Sequence, residues 1–125
     1  MQFQTIDELK RIAELLAESD FERGEIRWSP EGGSFVLETA RPPADHLQAG
    51  GLFRRSRAGW IPCRLTVQNV RGISVHEEVD VRPPEGGLLQ IEPAGEGARI
   101  HLRSSHALRI TLDVSRLSGD LQDAG

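Results

Sequence analysis

Apolar residues fall at helical spacing at the start of the chain and at alternate positions through most of the rest. Ile6, Leu9, Ile12, Ala13 and Leu16 stand at i, i+3, i+6, i+7 and i+10, which lays one apolar stripe along a helix. Thr5 offers an N-cap hydroxyl, and Asp7 and Glu8 place negative charge at the positive end of the helix dipole. The spacing predicts a helix over about 5–18, ending near Ser19-Asp20.

After Phe21 the period changes to two. Glu25–Ser29 and Ser34–Ala40 alternate on either side of Pro30-Glu31-Gly32-Gly33, the composition of a hairpin. From Trp60 to Val70, Cys63, Leu65 and Val67 share one face and Arg64, Thr66 and Gln68 the other. The alternation breaks at Gly72, pointing to a bulge or tight turn, and resumes over Ile73–Glu77. Leu88–Glu92 and Ala98–Arg103 flank a turn at Pro93–Gly97. Leu108, Ile110, Leu112 and Val114 alternate with Arg109, Thr111 and Asp113 in the cleanest strand pattern of the chain. Ser118–Gly125 is small and polar and reads as a frayed tail. Arg41–Gly59 has no period and reads as a long loop, with room for one helical turn near Asp45–Ala49.

No helical segment stands between the strands to make a parallel crossover. The fold class expected is α+β, mainly β. An N-terminal amphipathic helix is followed by about seven antiparallel strands forming a sandwich or partial barrel, with the helix covering an apolar edge or face. A single domain over 1–125 is expected, its β-rich part at about 22–115 and its frayed tail at about 118–125. The polar positions Arg27, Arg64, Thr66, Gln68, His101, Arg103, Arg109 and Thr111 would form one arginine-rich outward face if their strands are neighbours.

Composition narrows the function classes. The net charge of −4 over 125 residues gives no bulk attraction to nucleic acid or anionic lipid. No apolar run approaches the ~20 residues of a membrane helix. The first residues carry neither a basic nor an apolar signal region, so a cytoplasmic location is expected. Cys63 is the sole cysteine, which excludes an intramolecular disulfide and a thiolate zinc site, and fits a reducing compartment. Tyrosine is absent. The aromatic residues are Phe3, Phe21, Trp28, Phe35, Phe53 and Trp60, most of them needed by a core.

The candidate chemistry is sparse. His101 and His106 flank Ser104-Ser105 and could approach one metal ion, but no further ligand stands nearby. His76 and Glu78 share a strand face and could form a base and its orienting carboxylate; a solvated strand end explains them as well. Cys63, on the Leu65/Val67 face, reads as a buried structural thiol. Arg54-Arg55-Ser56-Arg57 could touch phosphates or pair with surface carboxylates. The paired glycines Gly32-Gly33, Gly50-Gly51 and Gly86-Gly87 fit turns and no nucleotide-binding motif. No metal and no cofactor is expected.

Cys63-Arg64-Leu65-Thr66-Val67-Gln68-Asn69-Val70-Arg71-Gly72-Ile73-Ser74-Val75, a following hairpin, and His106-Ala107-Leu108-Arg109-Ile110-Thr111-Leu112-Asp113-Val114 make a strand, a short break, a strand and a terminal hairpin. In this pattern about half the chain resembles small bacterial β-rich domains of unknown function, some grouped with immunity proteins of toxin systems. The resemblance implies a binding role and carries over no catalytic residues.

The combined reading is a small non-enzymatic protein-binding domain, its partner either another protein or a second copy of itself. The candidate binding residues are Phe53, Arg54, Arg55, Arg57 and Trp60, because Arg and Trp are enriched where interfaces are strongest. One alternative is a small histidine-dependent hydrolase or ligand-binding protein using His76, His101 or His106. Another is weak nucleic-acid contact through the Arg54–Arg57 loop.

Overall fold

The computed structural model describes residues 1–43, 59–77, 87–104 and 108–123. The helix forms where the apolar stripe places it. Helix α1 spans Ile6–Leu15. Thr5 Oγ1 accepts the Glu8 N–H at 3.2 Å, while Glu8 Oε1 accepts the Gln4 N–H at 3.1 Å. The helix stops short of residue 18. Its last turn carries no basic side chain, and Glu14 and Glu18 put negative charge at the negative end of the dipole.

The alternating segments form strands β1 (Gln2–Phe3), β2 (Ile26–Ser29), β3 (Ser34–Arg41), β4 (Ile61–Val67), β5 (Val70–Glu77), β6 (Leu89–Ala94), β7 (Gly97–Arg103), β8 (Leu108–Val114) and β9 (Gly119–Asp123). They make two antiparallel sheets, ordered β1-β9-β4-β3-β2 and β5-β8-β7-β6. Neither closes into a barrel. The alternate apolar positions of both sheets meet in one core: Phe35, Leu37, Leu65 and Val67 from the first, Ile100, Leu102, Ile110 and Leu112 from the second, all fully buried. Helix α1 lies beside β1 and β6 and adds Leu9, Ile12 and Leu16 to that core. It thereby fills one open side of the sandwich.

A two-stranded ribbon joins the sheets. β4 pairs with β9 in the first sheet, and their continuations β5 and β8 pair in the second. The two corners run side by side: Gln68 N–H donates to Ser118 O at 2.8 Å, and Ser115 N–H to Asn69 O at 3.0 Å. Asn69 turns its corner at φ 58°, a left-handed conformation that asparagine tolerates, and its side-chain amide donates to Arg116 O at 3.1 Å. Gly72 marks a bulge, as the broken alternation predicts: the β5–β8 register shifts between Val70 and Gly72. The β6–β7 hairpin turns on two residues, Gly95 and Glu96. Gly95 has φ +61° and Glu96 does not take a positive φ, the signature of a type II′ turn.

Polar groups buried at the other end of the sandwich are bonded to backbone. Thr39 Oγ1 donates to Asp20 O and Ser104 Oγ to Phe21 O, both at 2.6 Å. These bonds fix the segment that leaves α1 between the two sheets.

Three expectations need correction. The strands number nine rather than about seven among the described residues. The additional pair is β1 and β9, and β9 occupies Gly119–Asp123, most of the tail expected to fray. It is held on both sides, by β1 and by β4. The outward polar positions do not share a face. Arg27, Arg64 and Thr66 belong to the first sheet and His101, Arg103, Arg109 and Thr111 to the second, so they lie on opposite sides of the molecule; Gln68 sits in the corner between β4 and β5. Among the described residues no helix is long and apolar enough to cross a membrane.

Candidate functional site

The side of the sandwich away from α1 is bounded by the edge strands β2 and β5. On β2, Ile26 pairs with Leu37 and Trp28 with Phe35, so their side chains point inward. Leu37 and Phe35 are fully buried, whereas Ile26 and Trp28 are only half-buried. On β5, Ile73 and Val75 oppose Leu112 and Ile110, again on the inward face. Those partners are buried, but Ile73 is half-covered and Val75 is 43% exposed. Both edges therefore turn apolar side chains toward a core that does not fully cover them.

Two ties hold β5 to the β2 region. At one end Val70 N–H donates to Gly33 O at 2.9 Å. At the other, the Arg23 guanidinium, just ahead of β2, pairs with the Glu77 carboxylate. Between them lies an apolar margin made of Ile26, Trp28, Ile73 and Val75. The other edges are protected: β1 has two residues and β2 four, while β6 carries Pro93 and lies against α1. β5 is eight residues long, and among the described residues no strand pairs with its outer side.

A second constellation lies on the outer face of the β5-β8-β7-β6 sheet. His101 stands directly opposite Thr111 and diagonal to Glu92. Its Nδ1 lies 3.2 Å from Thr111 Oγ1 and its Nε2 3.2 Å from Glu92 Oε2. A neutral ring with its proton on Nε2 satisfies both contacts, the threonine hydroxyl donating and the carboxylate accepting. Hydroxyl, imidazole and carboxylate thus stand in the order a hydrolytic triad uses. Beside them Arg99 Nε donates to Asp113 Oδ1 at 3.0 Å, and this bond raises the arginine's pKa further.

The surroundings favour a surface network. Thr111 lies on a central strand whose N–H groups belong to the ladders with β5 and β7, so β8 itself leaves no pair of donors to receive an oxyanion. The concavity on this face, about 660 Å³, is lined by Arg71, Gly97, Arg99 and Asp113 among others, and not by His101 or Thr111.

The chain matches no family model, no curated protein and no solved structure. The site therefore stands on its geometry alone.

The residues singled out in the sequence are dispersed. Phe53, Arg54, Arg55 and Arg57 lie outside the described residues, as do His106 and Glu78. Trp60 is half-buried immediately before β4. His76 is exposed on β5 opposite Arg109. Among the described residues no group of three His, Cys, Asp or Glu side chains could hold a metal ion.

Cys63 is buried where the alternation placed it, and burial pushes its pKa from 9.0 up to about 11, against the opposing pull of Arg41. The folded protein holds this proton more tightly than the unfolded chain does. The resulting stability is full below the ordinary thiol pKa and is lost as pH rises from about 9 to about 11. Iodoacetamide labelling at pH 8 is expected to follow global unfolding. Rapid stoichiometric labelling of native protein would place the thiol at the surface.

Two sets of contacts were missed in the sequence. The edge position of β5 leaves no local trace. The His101 contacts, by contrast, were accessible. A two-residue turn at Gly95-Glu96 opposes Ala94 to Gly97, hence Gln90 to His101, which brings Glu92 diagonal to the ring. Reading the turn as Pro93–Gly97 concealed that register.

Proposed function

We propose that the chain is a non-enzymatic protein-binding domain and that its docking edge is β5. The observation that carries this reading is the eight-residue edge strand that no other strand among the described residues pairs on its outer side, bearing Ile73 and Val75 next to the half-covered Ile26 and Trp28. An extended segment added to such an edge gains backbone hydrogen bonds along its length. Its alternate side chains would reach the apolar margin between β5 and β2. No cofactor or metal is needed for this role. Phe53, Arg54, Arg55, Arg57 and Trp60 are proposed as a further contact region, on residue type alone.

The test compares wild type with Val75→Lys as bait in lysate. Val75 is largely solvent-facing, so the melting temperature should move by no more than about 2 °C. Recovery of a stoichiometric partner should fall at least about tenfold, because a lysine must then be buried against the added strand. A partner retained equally by both proteins, or no partner for either, would contradict the assignment.

A further inference from the structure

We infer that the strand received by β5 is an acidic one: an extended segment of another protein that turns apolar side chains toward the β2 margin and carboxylates toward the outer face of the sheet. The inference rests on the reading of β5 as a docking edge and names the chemistry of its partner.

The two sides of an added strand meet different surroundings. Its inward side chains stand opposite Ile73 and Val75 and next to Ile26 and Trp28. The one carboxylate on that side of β5, Glu77, is paired with Arg23. Its outward side chains stand opposite Gly72, Ser74 and His76 and continue the rows of the outer face.

Those rows are ordered by charge. In the row at the far end of β5, His76 stands opposite Arg109, and Arg109 opposite Arg103, so three basic side chains follow one another across three strands. The next row, Ser74, Thr111, His101 and Gln90, carries no carboxylate. Only in the third row do Asp113 and Glu92 appear, on either side of Arg99, which pairs with both. With Arg71, which lines the concavity on this face, four arginines stand on the strands against two carboxylates, in a chain whose net charge is −4.

Like charges directly opposite disfavour strand pairing, and a carboxylate on a further strand offsets them. An added strand lies two strand spacings from β8, about 10 Å, which is near the Debye length at about 0.1 M salt. The long Arg109 side chain shortens that gap. A carboxylate opposite His76 therefore extends the basic row, while apolar residues opposite Ile73 and Val75 cover the margin. A second copy of β5 brings Gly72, Ser74 and His76 to the outward positions and supplies no carboxylate. A nucleic acid supplies negative charge but neither the backbone ladder nor the apolar side chains.

Fluorescence anisotropy with labelled synthetic peptides tests the inference. The probe alternates glutamate and valine, and its controls replace every glutamate by glutamine or by lysine. The glutamate peptide is expected to bind at least about fivefold more tightly than the glutamine peptide, the lysine peptide more weakly than either, and the preference should shrink as salt is raised. Arg109→Glu should abolish the preference for glutamate. Arg109 is exposed and the new carboxylate would face Arg103, so the melting temperature should hold to within about 2 °C. Val75→Lys should weaken the glutamate and glutamine peptides alike.

Equal binding of the glutamate and glutamine peptides, both lost in Val75→Lys, would overturn the acidic partner and retain the docking edge. Binding of the glutamate peptide that Val75→Lys leaves intact would overturn both, as would no binding of any peptide at millimolar concentration. An oligonucleotide or polyglutamate bound as tightly as the alternating peptide would overturn the inference in favour of a general anion surface.

Discussion

Gly97→Ala is expected to destabilise the fold by more than about 3 kcal/mol, the high end for adding one methyl group to a packed interior. A Cβ built at Gly97 would lie 1.8 Å from the Val114 carbonyl oxygen and 2.7 Å from the Ser115 carbonyl carbon. Both atoms are backbone, so no side chain can rotate away. The neighbouring Ala98 pairs with Val114, and moving β8 aside would break that ladder next to the corner where β8 leaves its sheet. Gly95 in the same hairpin is the control. Its Cβ would meet nothing within 4 Å, so Gly95→Ala bears only the cost of its positive φ, about 1 kcal/mol. Thermal denaturation of both variants checks the contrast: a loss of about 10 °C or more for Gly97→Ala, and a few degrees for Gly95→Ala. Equal effects would mean that turn strain, and not the close approach of β7 to β8, sets the demand for glycine.

Gly119→Ala is expected to be nearly as damaging, for a reason that reaches from β9 to the amino-terminal strand. A Cβ there would lie 2.2 Å from Thr66 O and 2.3 Å from Phe3 Cζ. Gly119 pairs with Val67 on one side and with Phe3 on the other, so the Phe3 ring lies across the space a side chain would need. Phe3 is fully buried and packs in the same core as Leu9 and Ile12. Expelling its ring would cost about 3 kcal/mol or more on the scale of phenylalanine truncations. The Thr66 carbonyl clash survives even if the ring yields. Phe3→Leu should therefore fail to rescue Gly119→Ala, and urea denaturation of the single and double variants measures this. Full rescue would show that the ring is the sole obstacle.

The sequence discloses elements whose own residues carry the period, and hides those defined by their neighbours. β8 alternates through Leu108–Val114 without interruption, so its limits and its buried face were legible. The bulge in β5 was legible because Gly72 breaks the alternation. β9 contributes one large apolar residue, Leu121, among Gly, Asp and Gln, and β1 has two residues in all. Neither can display a period, and both are strands because partners distant in sequence complete them: β1 and β9 pair across nearly the whole chain, and β9 also pairs with β4. The outward face was misjudged for a related reason. Alternation fixes which side of a strand is buried, but not which sheet the strand joins. Ile73 and Val75 show the same limit: their pattern is that of core residues, and only the place of β5 at the end of its sheet leaves them uncovered. The candidate site was thus visible in composition and invisible in position.

Pairing, exposure and the surrounding margin make β5 the proposed functional edge, and amide hydrogen exchange reads that edge directly. Exchange should be followed along β5 in the free protein and in a captured complex. The result expected is slowed exchange over Gly72–Glu77 on association, with β6 and the outer-face segment around His101 unchanged. Association that slows exchange elsewhere, at Arg54–Arg57 or around Thr111, and leaves β5 as it was, would contradict the assignment of β5 as the docking edge.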